Sequence, residues 1–399
     1  MEHIRDAYQQ DDSQNARTLK EKAALDAQIA GLRKAAARDP HNPALLTATG
    51  DALRARGSLE AAVTTYRDAA RLAPRDPDLW NALGSALADA GQPGAAAKAY
   101  GDALEINPSH AWARNNLGLA LKAQGSLPAA VREWQTVVAT HPDFAEARNN
   151  LGAGLHTLGD VVGAMAEWRE ALRLQPVLGV ARHNLANVLG DLGHFDEAAQ
   201  QFTEAVALNP SDPQARNDLG LARRAQGDLD GAVDEWRKAV ELNPRLADAH
   251  HNLGTALYVL GMPQLAVAEL REAVRLDPSN AWAHFNMGIV LSNQGLLSAA
   301  MTEWQETLRV DGGFAPAHFY LGNGLYLQGQ FEQAIAQWQD TVRLDKDHAW
   351  AYFNLGYTLR HQGRLSEAQA AQEHALRLNP AVAHQKGPML DTDEGIGAS

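Results

Sequence analysis

The chain has 399 residues, a formal net charge of −13 and no cysteine. The missing thiols exclude disulfides, thiolate metal sites and cysteine nucleophiles, and the acidic balance disfavours nucleic acid, whose backbone needs a basic face. A hydrophobic share of 45% suffices for a folded core, whereas no run approaches the roughly 18–20 apolar residues that span a bilayer.

The N-terminal stretch MEHIRDAYQQDDSQ is polar, with no apolar core for a secretory signal. These features predict a cytoplasmic protein without direct membrane insertion. Residues 1–16 show no apolar period and are read as a flexible N-terminus. Residues 17–42 hold one predicted helix, with Leu19, Leu25, Ile29 and Leu32 as apolar contacts and Pro40 as its stop. Beyond it a 34-residue period governs everything. Glycine returns at Gly57, Gly91, Gly125, Gly159, Gly193, Gly227, Gly261, Gly295, Gly329 and Gly363. On either side of each glycine apolar residues recur at helical spacing, which predicts two amphipathic helices joined at a turn.

The units run 43–76, 77–110, 111–144, 145–178, 179–212, 213–246, 247–280, 281–314, 315–348 and 349–382. The first helix carries a Leu-Gly pair, as in Leu117–Gly118, with Thr49 and Met287 in place of the leucine and Ala186 in place of the glycine in single units. The second carries a small residue and, four positions on, a large plug: Ala130 and Trp134, Ala164 and Trp168, Ala232 and Trp236. Glycine inside a helix costs roughly 1 kcal/mol against alanine, so its recurrence implies that another helix passes very close. Prolines such as Pro108, Pro142 and Pro176 close most second helices. In the last unit Gln369 and Gln372 replace apolar or aromatic positions, so its second helix is expected to face water unaided. The tail 383–399 has no helical period and is predicted to be disordered.

These residues resemble the tetratricopeptide repeat (TPR) family: the Leu-Gly pair, the turn glycine, the alanine, the aromatic plug and the closing proline all match. The resemblance implies an all-α fold, a right-handed superhelix of ten helix–turn–helix repeats preceded by one capping helix. It also implies that first helices line a concave groove and second helices a convex face.

Groove positions are therefore the candidate site. One column holds Asn116, Asn150, Asn184, Asp218, Asn252, Asn286 and Asn354, with Tyr320 in the ninth unit. An amide both donates and accepts, so a regular row of amides can pair with the backbone of an extended peptide. This resembles the asparagine ladder of the repeat domain of O-linked N-acetylglucosamine transferases. The adjacent column holds Asn115, Asn149, Asn217, His183 and His251, then Phe285, Phe319 and Phe353. Asn187 and Asn323 are grouped with these groove residues. Toward the C-terminus Trp282, Tyr326, Trp350 and Tyr357 join the phenylalanines as possible anchors for ligand side chains. The competing reading of the rings is packing between helices.

A further column runs Arg114, Arg148, Arg182, Arg216, His250, His284, His318 and Tyr352. Solvated or locally ion-paired side chains explain it better than an acidic ligand. Equivalent atoms on neighbouring helices lie about 8–10 Å apart, too far for zinc ligands at ~2 Å from one metal. No glycine-rich phosphate loop, HExxH or GxSxG is present. The two-Lys, two-Asn, one-Arg clamp by which some family members bind chaperone C-termini is also missing.

The reading is a non-catalytic, cofactor-free and metal-free scaffold for a protein or peptide, monomeric with weak self-association possible. The alternative is a targeting or assembly subunit acting in trans with an enzyme, such as a glycosyltransferase, or with a membrane complex.

Overall fold

The computed structural model describes residues 20, 22–385 and 387–390. The expected flexible segment 1–16 and the end of the tail, 391–399, lie outside them. The described residues are all-α. The first helix, α1, spans 22–38. Ten hairpins follow: α2 (Pro43–Ala55) with α3 (Leu59–Leu72), α4 (Pro77–Asp89) with α5 (Pro93–Ile106), α6 (Ala111–Ala123) with α7 (Leu127–Thr140), α8 (Ala145–Thr157) with α9 (Val161–Leu174), α10 (Gly179–Asp191) with α11 (Phe195–Leu208), α12 (Pro213–Ala225) with α13 (Leu229–Leu242), α14 (Ala247–Val259) with α15 (Pro263–Leu276), α16 (Ala281–Asn293) with α17 (Leu297–Val310), α18 (Ala315–Leu327) with α19 (Phe331–Leu344), and α20 (Ala349–His361) with α21 (Leu365–Leu378). Every first helix starts at the residue where the sequence period begins its unit.

Each hairpin turns on its glycine. All ten turn glycines take positive φ, between 71° and 88°, and among the described residues no other residue type does so. At Gly125 the N–H donates to the Lys122 carbonyl, and the next N–H, of Ser126, reaches back to Leu121. This left-handed closure satisfies the last carbonyls of the first helix and reverses the chain in two residues.

The helical glycines have a different cause. A Cβ on Gly118 would lie 2.4 Å from Trp134 Nε1, and one on Gly152 would lie 2.7 Å from Trp168 Nε1. The close neighbour is thus the plug on the second helix of the same repeat. With no Cβ in the way, the indole lies on the first helix, and Trp134 Nε1 donates to the Asn115 carbonyl at 3.1 Å. Trp134, Trp168, Trp236, Trp304 and Trp338 are all at most 2% exposed, so they are core.

The chain divides into two compact units, residues 1–188 and 189–399. In unit 1, Ile29 of α1 is buried in one core with Leu53, Tyr66, Leu83 and Tyr100, and Leu32 packs against it. Arg56 also donates to Asp26 of α1 at 2.8 Å. The helix before the repeats therefore covers the outer face of the first hairpin. In unit 2 a single core runs from Ala232 to Ala371 through Trp236, Leu253, Leu270, Trp304 and Trp338. First helices also touch across one repeat, α4 with α6 in unit 1 and α12 with α14 and α14 with α16 in unit 2. They lie on the inner side of each stack.

The tail departs from expectation. Pro380–His384 forms a 3-10 turn packed on α21. Val382 is 2% exposed and joins Phe353 and Ala375 in a small core. The last hairpin is thus not left to face water unaided, because the chain turns back over it. The expected disorder does not extend to residues 383–385 and 387–390.

The two glycine classes predict different lesions. Gly118→Ala overpacks the Trp134 contact and should destabilise the third hairpin by about 1–3 kcal/mol. Gly125→Ala instead strains the turn by about 1–2 kcal/mol. Hydrogen exchange resolved over α6 and α7 measures both, since a repeat array need not unfold in one step. Adding Trp134→Phe, which deletes the Nε1 edge, should restore part of the protection lost in Gly118→Ala and none of that lost in Gly125→Ala.

Candidate functional site

The Arg/His column is a set of internal braces. Arg114 donates to Glu133 at 2.8 Å, Arg148 to Glu167 at 2.7 Å and Arg216 to Glu235 at 2.7 Å. Each tie joins the two helices of one hairpin. The same guanidinium also reaches the carbonyl of the preceding proline, as Arg148 does to Pro142 at 2.8 Å. Histidines replace the arginines on the same geometry. His250 Nδ1 meets Glu269 at 2.6 Å, His284 meets Glu303 at 2.7 Å and His318 meets Gln337 at 2.7 Å. Among the described residues no three His, Asp or Glu side chains converge as a metal site.

The asparagines of unit 1 form a continuous row across α10, α8, α6 and α4. Asn184 donates to Asn149 at 3.3 Å, and Asn149 to Asn150 at 3.5 Å. Asn150 donates to Asn115 at 2.9 Å, and Asn115 to Asn116 at 3.3 Å. Asn116 then donates to Asn81 at 3.0 Å. Both asparagine columns are needed, because each link between repeats joins a residue of one column to a residue of the other 35 positions away. Asn116, Asn149, Asn150 and Asn184 are half-buried, Asn115 is buried and Asn187 is exposed on α10. Asn81 was not among the sequence candidates, although it stands 34 residues before Asn115. Beside the row lies a cavity of about 460 Å³ lined by Asn116, Leu119, Ala123, Tyr100 and the Arg54–Asp89 pair.

In unit 2 the corresponding positions are sealed. Asn252 donates to Asn217 at 3.0 Å, and Asn286 to His251 at 3.0 Å. Asn217, Asn252, Asn286, Asn323 and Asn354 are all at most 9% exposed. Asn323 accepts from Trp338 Nε1 at 3.1 Å and from Asn354 at 3.1 Å, so it holds a plug in place. Three of the aromatic anchors expected in the groove, Phe285, Phe319 and Tyr320, also require correction. Phe285 is 1% exposed, with Phe314 and Tyr320 rings centred 5.1 and 5.6 Å away. Phe319 and Tyr320 belong to the same core. Large rings fill the space between neighbouring helices there and have no face left for a ligand. Phe353 is buried against Val382, while Tyr357 is half-buried. These two line a cavity of about 800 Å³ with Leu365, Leu376 and the turn at Val382.

Two adjacent histidines in the seventh repeat are tuned in opposite senses. Burial works against protonation of His250, but hydrogen bonds to Glu269 and to the Pro244 carbonyl outweigh it and raise its pKa. Burial lowers the pKa of His251; Asp248 opposes this and Arg224 reinforces it. The low value suits its contact, since a neutral Nε2 accepts from Asn286.

Paired helices on a 34-residue register, with polar side chains tied from repeat to repeat, define a helical-hairpin repeat protein. Family models described as tetratricopeptide repeat match residues 120–177 and 183–247 and residues 349–382, and one described as TPR repeat matches 50–91, 84–125, 264–295 and 322–363. The chain belongs to the tetratricopeptide repeat family, whose fold is that of protein–protein interaction scaffolds. No curated protein sequence matches it. Among solved structures it is similar to a chain of the APC/C hetero-tetramer Cut9–Hcn1, at 20% identity and a TM-score of 0.51, covering 70% of this chain and 55% of that one. The chain thus spans little more than half the length of that protein. It is also similar to YrrB, described as a TPR protein with an unusual peptide-binding site, at 24% identity and a TM-score of 0.39, over 50% of this chain and 98% of that one. A monomeric mutant of IFIT1 with Gppp-AAAA is 17% identical with a TM-score of 0.45, over 84% of this chain and 90% of that one. Among the described residues no helix is long and apolar enough to cross a membrane.

The histidine pair predicts a pH-dependent seventh repeat. The stabilisation from raising the His250 pKa is complete below the ordinary histidine value, near 6.5, and is lost as pH rises through the folded value. His251 has the opposite sign, so its cost appears as pH falls through the ordinary range. Local stability of α14 and α15 should therefore decline on both sides. His250→Arg, the residue used in four earlier repeats, should abolish the alkaline decline and leave the acidic one, read by hydrogen exchange across pH 5–9.

Proposed function

We propose that this chain is a non-catalytic scaffold that holds an extended peptide, or an extended segment of a partner protein, against the asparagine row of unit 1. The carrying observation is that the half-buried Asn116, Asn150, Asn149 and Asn184 are joined through Asn115 into one row, whose Asn116 end lines an open cavity. A primary amide has two N–H donors and a carbonyl with two lone pairs. The links within the row engage one donor each of Asn116, Asn149, Asn150 and Asn184, and the remaining donor and acceptor capacity of these half-buried amides is what a ligand would use. The main chain of an extended peptide presents the complementary groups, whatever its side chains.

The spacing supports the same reading. Neighbouring first helices sit about 8–10 Å apart and an extended chain covers ~3.3 Å per residue, so each repeat faces about three ligand residues. Because the row bonds to itself, its amides are oriented before a ligand arrives, which lowers the ordering cost of binding. Leu119 and Ala123 offer an apolar wall, and the Arg54–Asp89 pair sits at the cavity edge. The reading needs no cofactor, metal, nucleic acid or membrane.

The test is capture of partners from host extract by the wild-type chain and by the triple variant Asn116→Ala, Asn150→Ala, Asn184→Ala, compared by quantitative mass spectrometry. The variant should lose the captured partner at least tenfold while its circular dichroism at the assay temperature stays helical. Undiminished capture by a folded variant would sink the assignment to this row.

A further inference from the structure

We propose that Asn354, at the C-terminal end of unit 2, is a peptide subsite that reads main chain, and that the chain's own residues 387–390 occupy it in place of an external extended peptide. The tail returns to this asparagine after the 3-10 turn. The Met389 N–H donates to Asn354 Oδ1 at 2.7 Å, and Asn354 Nδ2 donates to the Met389 carbonyl at 2.8 Å. One side-chain amide thus satisfies both polar groups of one backbone residue, the pairing that an amide can make with any extended segment. Asn354 itself is fully buried, and residues 387–390 are half-buried.

The position explains the occupancy. Met389 stands 34 residues beyond Leu355, where an eleventh unit would place its first helix. The links Asn116–Asn81, Asn150–Asn115 and Asn252–Asn217 also span 35 residues, as Asn354–Met389 does. Residues 387–390 are not helical, so they present main-chain groups where a helix would present side chains. The segment covers the end of the array without filling it. The cavity of about 800 Å³ between α20, α21 and the turn keeps Tyr357, Leu365 and Leu376 on its walls, and Leu365 is 65% exposed. A segment held by one amide, behind a turn anchored by one buried valine at the edge of an unfilled cavity, belongs to the parts of a protein that open locally. The ligand class is an extended peptide bound through its backbone.

This deepens the scaffold reading and rests on the same amide-to-backbone chemistry. Asn354 lies outside the three asparagines changed in the capture experiment, so the two can fail separately. Hydrogen exchange of the full chain should show the Met389 amide protected at least tenfold over a random-coil segment. Protection should survive Met389→Ala, which keeps the main chain, and vanish in Asn354→Ala. Met389→Pro, which deletes the donated N–H outside the repeats, releases the tail without touching the array. A labelled synthetic peptide of residues 385–399 should then bind the Met389→Pro chain at least tenfold more tightly than the wild type, where the tethered segment competes at high effective concentration. An unprotected Met389 amide in the wild type, protection unchanged by Asn354→Ala, or peptide binding that is equal for both chains or absent from both overturns the proposal.

Discussion

The contact on which seven of the ten hairpins depend is the plug ring seated on a glycine of the facing helix. At Gly118 and Trp134 the ring occupies the volume a methyl group would need. That contact sets the distance between the two helices of a hairpin, and the indole N–H then ties Trp134 to the Asn115 carbonyl. Helix interiors seldom tolerate glycine, because each one loses backbone entropy and a packing side chain. Here the loss is offset by burying an entire indole. The braces from Arg114 to Glu133 and from Arg148 to Glu167 act on a separation that the glycine has already set.

The same frame carries two different inner faces. In unit 1 the first helices present amides that remain half-open to solvent. In unit 2 the bulk of Phe285, Phe319 and Tyr320 closes the layer, and the asparagines become buried partners of a plug, a histidine, the tail or one another. A buried amide must find its hydrogen bonds within the protein. Asn323 and Asn286 therefore support the array, while Asn150 and Asn184 keep capacity in reserve. Identical residue types in one sequence column diverge in role because the rings beside them differ.

The period made the architecture legible: helix starts, glycine turns and plugs all follow from residues that repeat every 34 positions. Three things were not legible. The partner of Gly118 needed geometry, because a small residue announces a close approach without naming the neighbour. The burial of Phe285 needed it too, since a ring at a groove position serves a ligand or a neighbouring helix depending on sub-ångström placement. The role of Met389 lies in its backbone, and main-chain pairing leaves no mark on residue type. The link from Asn116 to Asn81 was closer to reach, because an offset of 35 joins two columns that had been considered apart.

The asparagine row of unit 1 has a polarity of its own. From Asn184 through Asn149, Asn150, Asn115 and Asn116 to Asn81, every link runs from an N–H to a carbonyl in one sense along the row. Turning over a single amide would set donor against donor on one side and acceptor against acceptor on the other. The orientation of each side chain is therefore a property of the whole row, reversible only collectively. On the proposed function, a surface with such a sense would distinguish the two ways of laying a polypeptide along it, N-terminus first or C-terminus first, before any of the guest's side chains is read.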